Sequence, residues 1–189
     1  GEWPKIVQAY LACVSFVDHY VGEILNALEN SKYADNTIIV LWSDHGYRLG
    51  EKGTFAKHCL WEEATKVPLI FAGPGVEKNK TISAPAELIS VYPTLNELCG
   101  LEEQSKTEGV SLAPVLKGEA KSVQDFALTT YGWNNHGIRS ENYRYIRYSD
   151  GTEELYDHSK DPDEWNNLVN KGNYDSQTEK LKKFIPETN

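Results

Sequence analysis

The chain has 189 residues, 40% of them hydrophobic and 11% aromatic, enough apolar material for one ordinary domain with a core and too much for a disordered segment. Its formal net charge of −9 excludes a general binder of nucleic acid or acidic membranes, because phosphate binding needs clustered Lys and Arg. A local basic cluster can still receive a small anion, since charges more than about 8 Å away are screened at physiological salt.

Residues 6–28 repeat apolar side chains at helical spacing, from Ile6 and Tyr10 through Val14 and Val17 to Ile24 and Leu28, with Pro4 near the start where its missing N–H costs nothing. Asp18 and His19 fall in the middle of this predicted helix, where an ordinary solvated face is the stronger reading than a contact to a site. The run Thr37-Ile38-Ile39-Val40-Leu41-Trp42 predicts a buried strand. A second apolar strand is expected over 67–72, beginning at or just after Pro68, and a third over 87–91. Pro93 and Gly100 bracket a short helix. Helix, strand, strand, strand and helix make an α/β layer.

Composition shifts after about Lys117. Short strand-like runs at 125–131, 137–140, 143–148 and 153–156 predict a small antiparallel sheet, closed by a helix over 175–184. Asp150-Gly151 is the strongest hairpin signal. The chain is therefore divided at 117/118, into an α/β part and a C-terminal subdomain. Cys13, Cys59 and Cys99 form no C-x-x-C pair, so no zinc ribbon or disulfide framework is expected, and Cys13 and Cys99 are read as buried free thiols. No apolar run reaches transmembrane length, and no signal peptide opens the chain, which starts at Gly1 without an initiator Met. Asn79-Lys80-Thr81 fits a glycosylation sequon, a triplet that often arises by chance.

Chemistry concentrates after the first strand, in Ser43-Asp44-His45-Gly46-Tyr47-Arg48-Leu49-Gly50-Glu51-Lys52-Gly53, then Lys57-His58. Open α/β sheets place ligands at the carboxyl ends of their strands, and glycines let the loop fold tightly there. Asp44 and His45 supply metal-ligating atoms, while Lys57 and His58 bring positive charge to the same mouth. Metal plus cation suits a sulfate or phosphate group.

These segments, followed by Val67-Pro68-Leu69-Ile70-Phe71, resemble the second half of a type I sulfatase of the alkaline phosphatase superfamily, with the iduronate-2-sulfatase-like branch the best match. The resemblance continues through Leu88-Ile89-Ser90-Val91-Tyr92-Pro93-Thr94-Leu95, Ile138-Arg139-Ser140, Tyr143-Arg144-Tyr145-Ile146-Arg147-Tyr148 and Asp161-Pro162-Asp163-Glu164-Trp165 in the family's order. It implies the C-terminal part of an alkaline-phosphatase-like sulfatase fold, and hydrolysis of sulfate esters of a sugar or glycan.

By the same resemblance Asp44 and His45 are two calcium ligands, Lys57 contacts the sulfate, His58 donates to the leaving oxygen or orients substrate, and Tyr47, Arg48 and His136 line the sugar pocket. The family's formylglycine is made from a C/S-x-P-x-R motif, which this chain lacks. Ser83-Ala84-Pro85-Ala86-Glu87 comes nearest but carries Glu87 where Arg is needed. Nucleophile and paired Asp ligands are therefore expected in an N-terminal part of the same enzyme, and this chain alone is expected to be inactive. Export to periplasm, exterior or lysosome is implied. Two alternatives remain: a phosphodiesterase or phosphonate monoester hydrolase of the superfamily, and a non-catalytic binder of sulfated glycans.

Overall fold

A computed structural model describes residues 1–102 and 105–187. Helix α1 spans Trp3–Glu29 with Pro in its first turn. It stops where the Asn30 side chain donates to the Asn26 carbonyl at 2.8 Å, competing with continuation of the helix. None of its residues is buried, and Phe16 and Ile24 are 64% and 68% exposed.

Strand β1 (Ile39–Trp42) forms as its β-branched run predicts, but it is not buried. Its partner is β4 (Leu69–Ala72), antiparallel, with Ile39 opposite Ala72 and Trp42 opposite Leu69. The pair forms a two-stranded sheet, so Leu41 and Trp42 stay 40% and 50% exposed. Pro68 lies immediately before β4, where its missing donor breaks no ladder. Between them come a two-residue hairpin, β2 (Arg48–Leu49) with β3 (Phe55–Ala56), and the single turn α2 (Glu62–Thr65).

The strand expected over 87–91 does not form. Leu88–Ser90 is a 3-10 turn that runs straight into α3 (Val91–Leu98). The buried residues here are Ser90 and Thr94, a pair four residues apart as on a helix face, not two apart as on a strand. Thr94 Oγ1 donates to the Ser90 carbonyl at 2.5 Å and accepts from the Leu112 N–H at 2.8 Å, which ties α3 to the short helix α4 (Ala113–Leu116). Cys13 and Cys99 are both exposed, contrary to the expectation of buried thiols, because no element among the described residues covers their faces.

Four strands then pair antiparallel in chain order, β5 (Ala127–Thr130), β6 (His136–Arg139), β7 (Tyr143–Arg147) and β8 (Glu153–Asp157). The β7–β8 turn carries Gly151 at φ +85, which an L side chain resists, and Asp150 Oδ1 accepts from the Thr152 backbone at 2.9 Å. Helix α5 (Asp175–Lys182) closes the sheet. Ile138, Tyr145, Leu155, Leu181 and Ile185 form its core, and Phe126 stacks on Phe184 at 4.2 Å.

Accessible surface totals 12557 Å². A compact monomer of 21.3 kDa exposes about 9,100 Å². Large apolar side chains of α1 and of the β1–β4 pair, among them Phe16, Ile24, Trp42 and Ile70, are exposed. No helix among the described residues is long and apolar enough to cross a membrane.

Candidate functional site

The chain turns sharply after β1. Gly46 is obligatory there, because a Cβ would lie 1.9 Å from the Glu63 carbonyl oxygen, and its N–H donates to Ala64 O at 2.9 Å. The preceding His45 is held by its Nδ1, which lies 2.8 Å from the Gly46 carbonyl. A carbonyl only accepts, so Nδ1 carries the proton and Nε2 keeps its lone pair. Two groups face that lone pair: Lys57 Nζ at 2.7 Å and Asp44 Oδ2 at 3.5 Å. Carboxylate, imidazole and ammonium thus converge, although Lys57 lies twelve residues after His45.

The donor set suits part of a cation's shell. Asp44 and His45 offer an oxygen and a nitrogen, while calcium takes about six to eight ligands, mostly oxygen. The two residues alone do not complete such a site.

The other predicted site residues divide between two places. Tyr47 stacks on Tyr10 of α1, with ring centroids 5.8 Å apart. Arg48 is buried, donates to Thr54 Oγ1, and lies over the Trp61 ring at 5.2 Å. It lines a cavity of about 300 Å³ together with His58, Cys59, Tyr131 and Asn135. His58 stacks on Tyr131, from the residue after β5, at 5.6 Å. Burial pushes the Cys59 thiol up, against the lowering pull of the Trp61 backbone hydrogen bond and of Arg48, and so favours the neutral thiol. His136 follows Asn135 on β6 but is itself fully buried, its Nδ1 at 2.9 Å from Thr130 Oγ1 and its Nε2 without a partner. Burial and then Arg147 hold this imidazole below its ordinary pKa, so it is neutral.

One constellation was not legible in the sequence. Glu62, Glu164 and His158 place ligand-type atoms within 4.8 Å of one another. Two arginines already answer that charge. Arg144 Nε reaches Glu164 at 2.7 Å and its other end pairs with Glu62, while Arg139 Nε reaches Glu62 at 3.1 Å. Burial pushes the Glu62 carboxyl up, but Arg144 and Arg139 outweigh it and hold the pKa at about 2. This is a buried ionic joint between α2 and the C-terminal sheet, not a metal centre. Glu62 and Glu164 are 102 residues apart, so only the folded chain brings them together.

The Sulfatase family profile matches residues 2–101, which include Asp44, His45, Lys57 and His58. This chain belongs to the Sulfatase family. A sulfatase of Formosa agariphila is 58% identical over the whole chain, which spans 37% of that relative. An N-acetylglucosamine-6-O-sulfatase of Bacteroides thetaiotaomicron is 35% identical across 99% of the chain and 36% of its own length. The chain thus spans well under half the length of these sulfatases. Among solved structures, one with bound D-glucosamine-2-N,6-O-disulfate as its substrate matches 93% of the chain and 38% of its own, with TM-score 0.81 and 34% identity. A phosphonate monoester hydrolase of Agrobacterium radiobacter shares the fold at TM-score 0.76 and 24% identity. The architecture is therefore part of the α/β sulfatase fold, with its small antiparallel sheet and terminal helix.

Proposed function

We propose that this chain is the later part of a sulfatase of the iduronate-2-sulfatase-like branch, acting on a sulfated sugar. The observation that carries this reading is the convergence of Asp44, His45 and Lys57 at the end of β1. Residues 1–117 belong to its catalytic domain and 118–189 to its C-terminal subdomain. Sugar specificity is supported by the relatives, one named for N-acetylglucosamine 6-O-sulfate and another for a hexuronate 2-O-sulfate.

In this reading Asp44 and His45 give two of the calcium ligands, and the N-terminal part gives the rest together with the formylglycine. When bound, that pair supplies a polarising cation and a hydrated aldehyde as nucleophile. Lys57 does the work this chain can be held to. Its ammonium faces the sulfate and offsets the charge that grows on the leaving oxygen as the S–O bond breaks. His45 Nε2 has one lone pair and meets Lys57 Nζ at 2.7 Å, so His45 would hold a cation there only with the Lys57 ammonium turned away and free for the ester. His58, held face-on to Tyr131, orients the sugar or donates to its leaving oxygen. Tyr47, Arg48 and His136 complete the pocket's surroundings. The exposed apolar residues of α1 and β1 are the surface on which the N-terminal part packs.

The test uses the natural polypeptide that carries this chain, assayed with glucosamine 6-sulfate, an aryl sulfate and the matched aryl phosphate. Sulfate release is expected, with Lys57→Ala lowering kcat by about 10²–10³-fold, the usual loss for one group facing developing charge. Faster turnover of the phosphate ester, or unchanged kcat in Lys57→Ala, overturns the reading. The isolated 189-residue chain is expected to release none.

A further inference from the structure

The β2–β3 hairpin, which delivers Lys57 and His58 at its exit, is fastened at its tip by a residue that has no part in the chemistry above. Lys52 sits at φ +51, a left-handed conformation that a non-glycine residue adopts only when its surroundings hold it there. What holds it is a three-walled aromatic cage. Lys52 Nζ lies 4.9 Å from the Trp61 ring, 5.3 Å from Tyr156 and 5.0 Å from Trp165, and it donates to the Glu164 carbonyl.

The cage is itself fixed. Trp61 Nε1 and the Tyr156 hydroxyl both donate to Glu154 Oε2, at 2.8 and 3.0 Å. The turn carrying Trp165 is pinned by its N–H to Asp161 Oδ1 at 3.1 Å. Glu164, also left-handed at φ +58, is fully buried, and its carboxylate takes the Glu62 N–H and Arg144. A flexible lysine is thereby held by Trp61 on one side and by Tyr156, Glu164 and Trp165 of the C-terminal region.

We infer that Lys52 is a positioning residue: its docking in the Trp61–Tyr156–Trp165 cage sets where the hairpin delivers Lys57 and His58. The inference rests on the catalytic role proposed for Lys57. The hairpin is closed by pairing of Arg48 with Ala56 and Leu49 with Phe55, so a shift at the tip is transmitted to Lys57, one residue beyond β3. The exit has its own hold in the His58–Tyr131 stack. Tip and exit are thus both referred to the C-terminal sheet, and the reacting groups to it in turn.

The experiment compares Lys52→Met, Lys52→Arg and Trp165→Leu in the natural polypeptide that carries this chain. Met keeps the stem without the charge, Arg keeps a cation for the cage, and Trp165 is an exposed outer wall (63%) whose loss leaves the core packed. Hydrogen exchange over residues 48–58 is expected to quicken several-fold in Lys52→Met and Trp165→Leu, with β5–β8 unchanged. Turnover of the sulfate ester is expected to fall by about tenfold in kcat, at the scale of a sub-ångström misplacement, with KM within about twofold. Lys52→Arg is expected to restore most of both. Unchanged exchange over 48–58 in Lys52→Met overturns the inference, as does a kcat loss matched by loosening of the whole sheet, or a Lys52→Arg variant no better than Lys52→Met. If the parent turns over no sulfate ester while exchange follows the pattern, the sulfatase reading fails and the clamp stands.

Discussion

On α1, Phe16 and Ile24 remain more than three-fifths exposed, while on β6, β7 and β8 the side chains of Ile138, Tyr145 and Leu155 are wholly buried. Both regions carry comparable apolar residues at the spacing of their element. The difference is whether a second layer belongs to the same chain. In the C-terminal sheet, α5 and the segment just after it lie over the strands and fill the core with Leu181 and Ile185. Among the described residues, the rings that meet α1 from outside it are Phe55 on β3, against Trp3, and Tyr47 just before β2, against Tyr10, and no residue of the helix is buried. Amphipathicity thus sets the helix but does not by itself provide the burial that stabilises it. The candidate site lies between the two regions: its loop leaves the uncovered β1 and is fastened to the covered sheet.

The strongest way to break this arrangement is at the ionic joint. Arg144→Ala leaves Glu62 and Glu164 facing each other without their shared cation, and such losses cost about 3–5 kcal/mol. Urea unfolding followed by tyrosine and tryptophan fluorescence is expected to show a loss of that size. A loss below about 1 kcal/mol would mean that the joint is solvated and the two regions are independent. A paired comparison sharpens the contrast in burial. Leu155→Ala is expected to cost about 2–5 kcal/mol as a core cavity, and Ile24→Ala in this isolated chain under about 0.5 kcal/mol. Equal costs would show that α1 is covered in solution.

Acid gives a smaller, graded effect. Glu62 titrates lower in the folded chain, at about 2 against 4.5, so its stabilisation is complete above 4.5 and is lost as pH falls toward 2. Glu62→Gln, which keeps the shape but not the charge, is expected to flatten that acid limb in a pH series of melting temperatures. A limb as steep as that of the parent would assign acid sensitivity to other carboxylates.

The residues that matter locally were legible from the chain alone. Asp44, His45 and Gly46 lie at a strand end and the Asp150-Gly151 turn joins two strands because local sterics and polar side chains act over a few residues. The expected strand over 87–91 failed for a tertiary reason: Thr94 Oγ1 accepts from the Leu112 N–H while donating to the Ser90 carbonyl, and helical spacing serves that contact. The Glu62–Arg144–Glu164 joint and the Lys52 cage were out of reach, since their members are scattered and each reads singly as a solvated charge or a surface aromatic.

The sequence by itself determined the long helix α1, the strands β1 and β4 to β8, and which residue types stand in the loop after β1. Period and turn chemistry are local properties, so they survive without a fold. Only the tertiary structure decided that Lys57 faces His45, that Arg48 is buried rather than free, and that Lys52 is caged. Those outcomes depend on which distant backbone excludes water from a side chain, and no spacing along the chain encodes that.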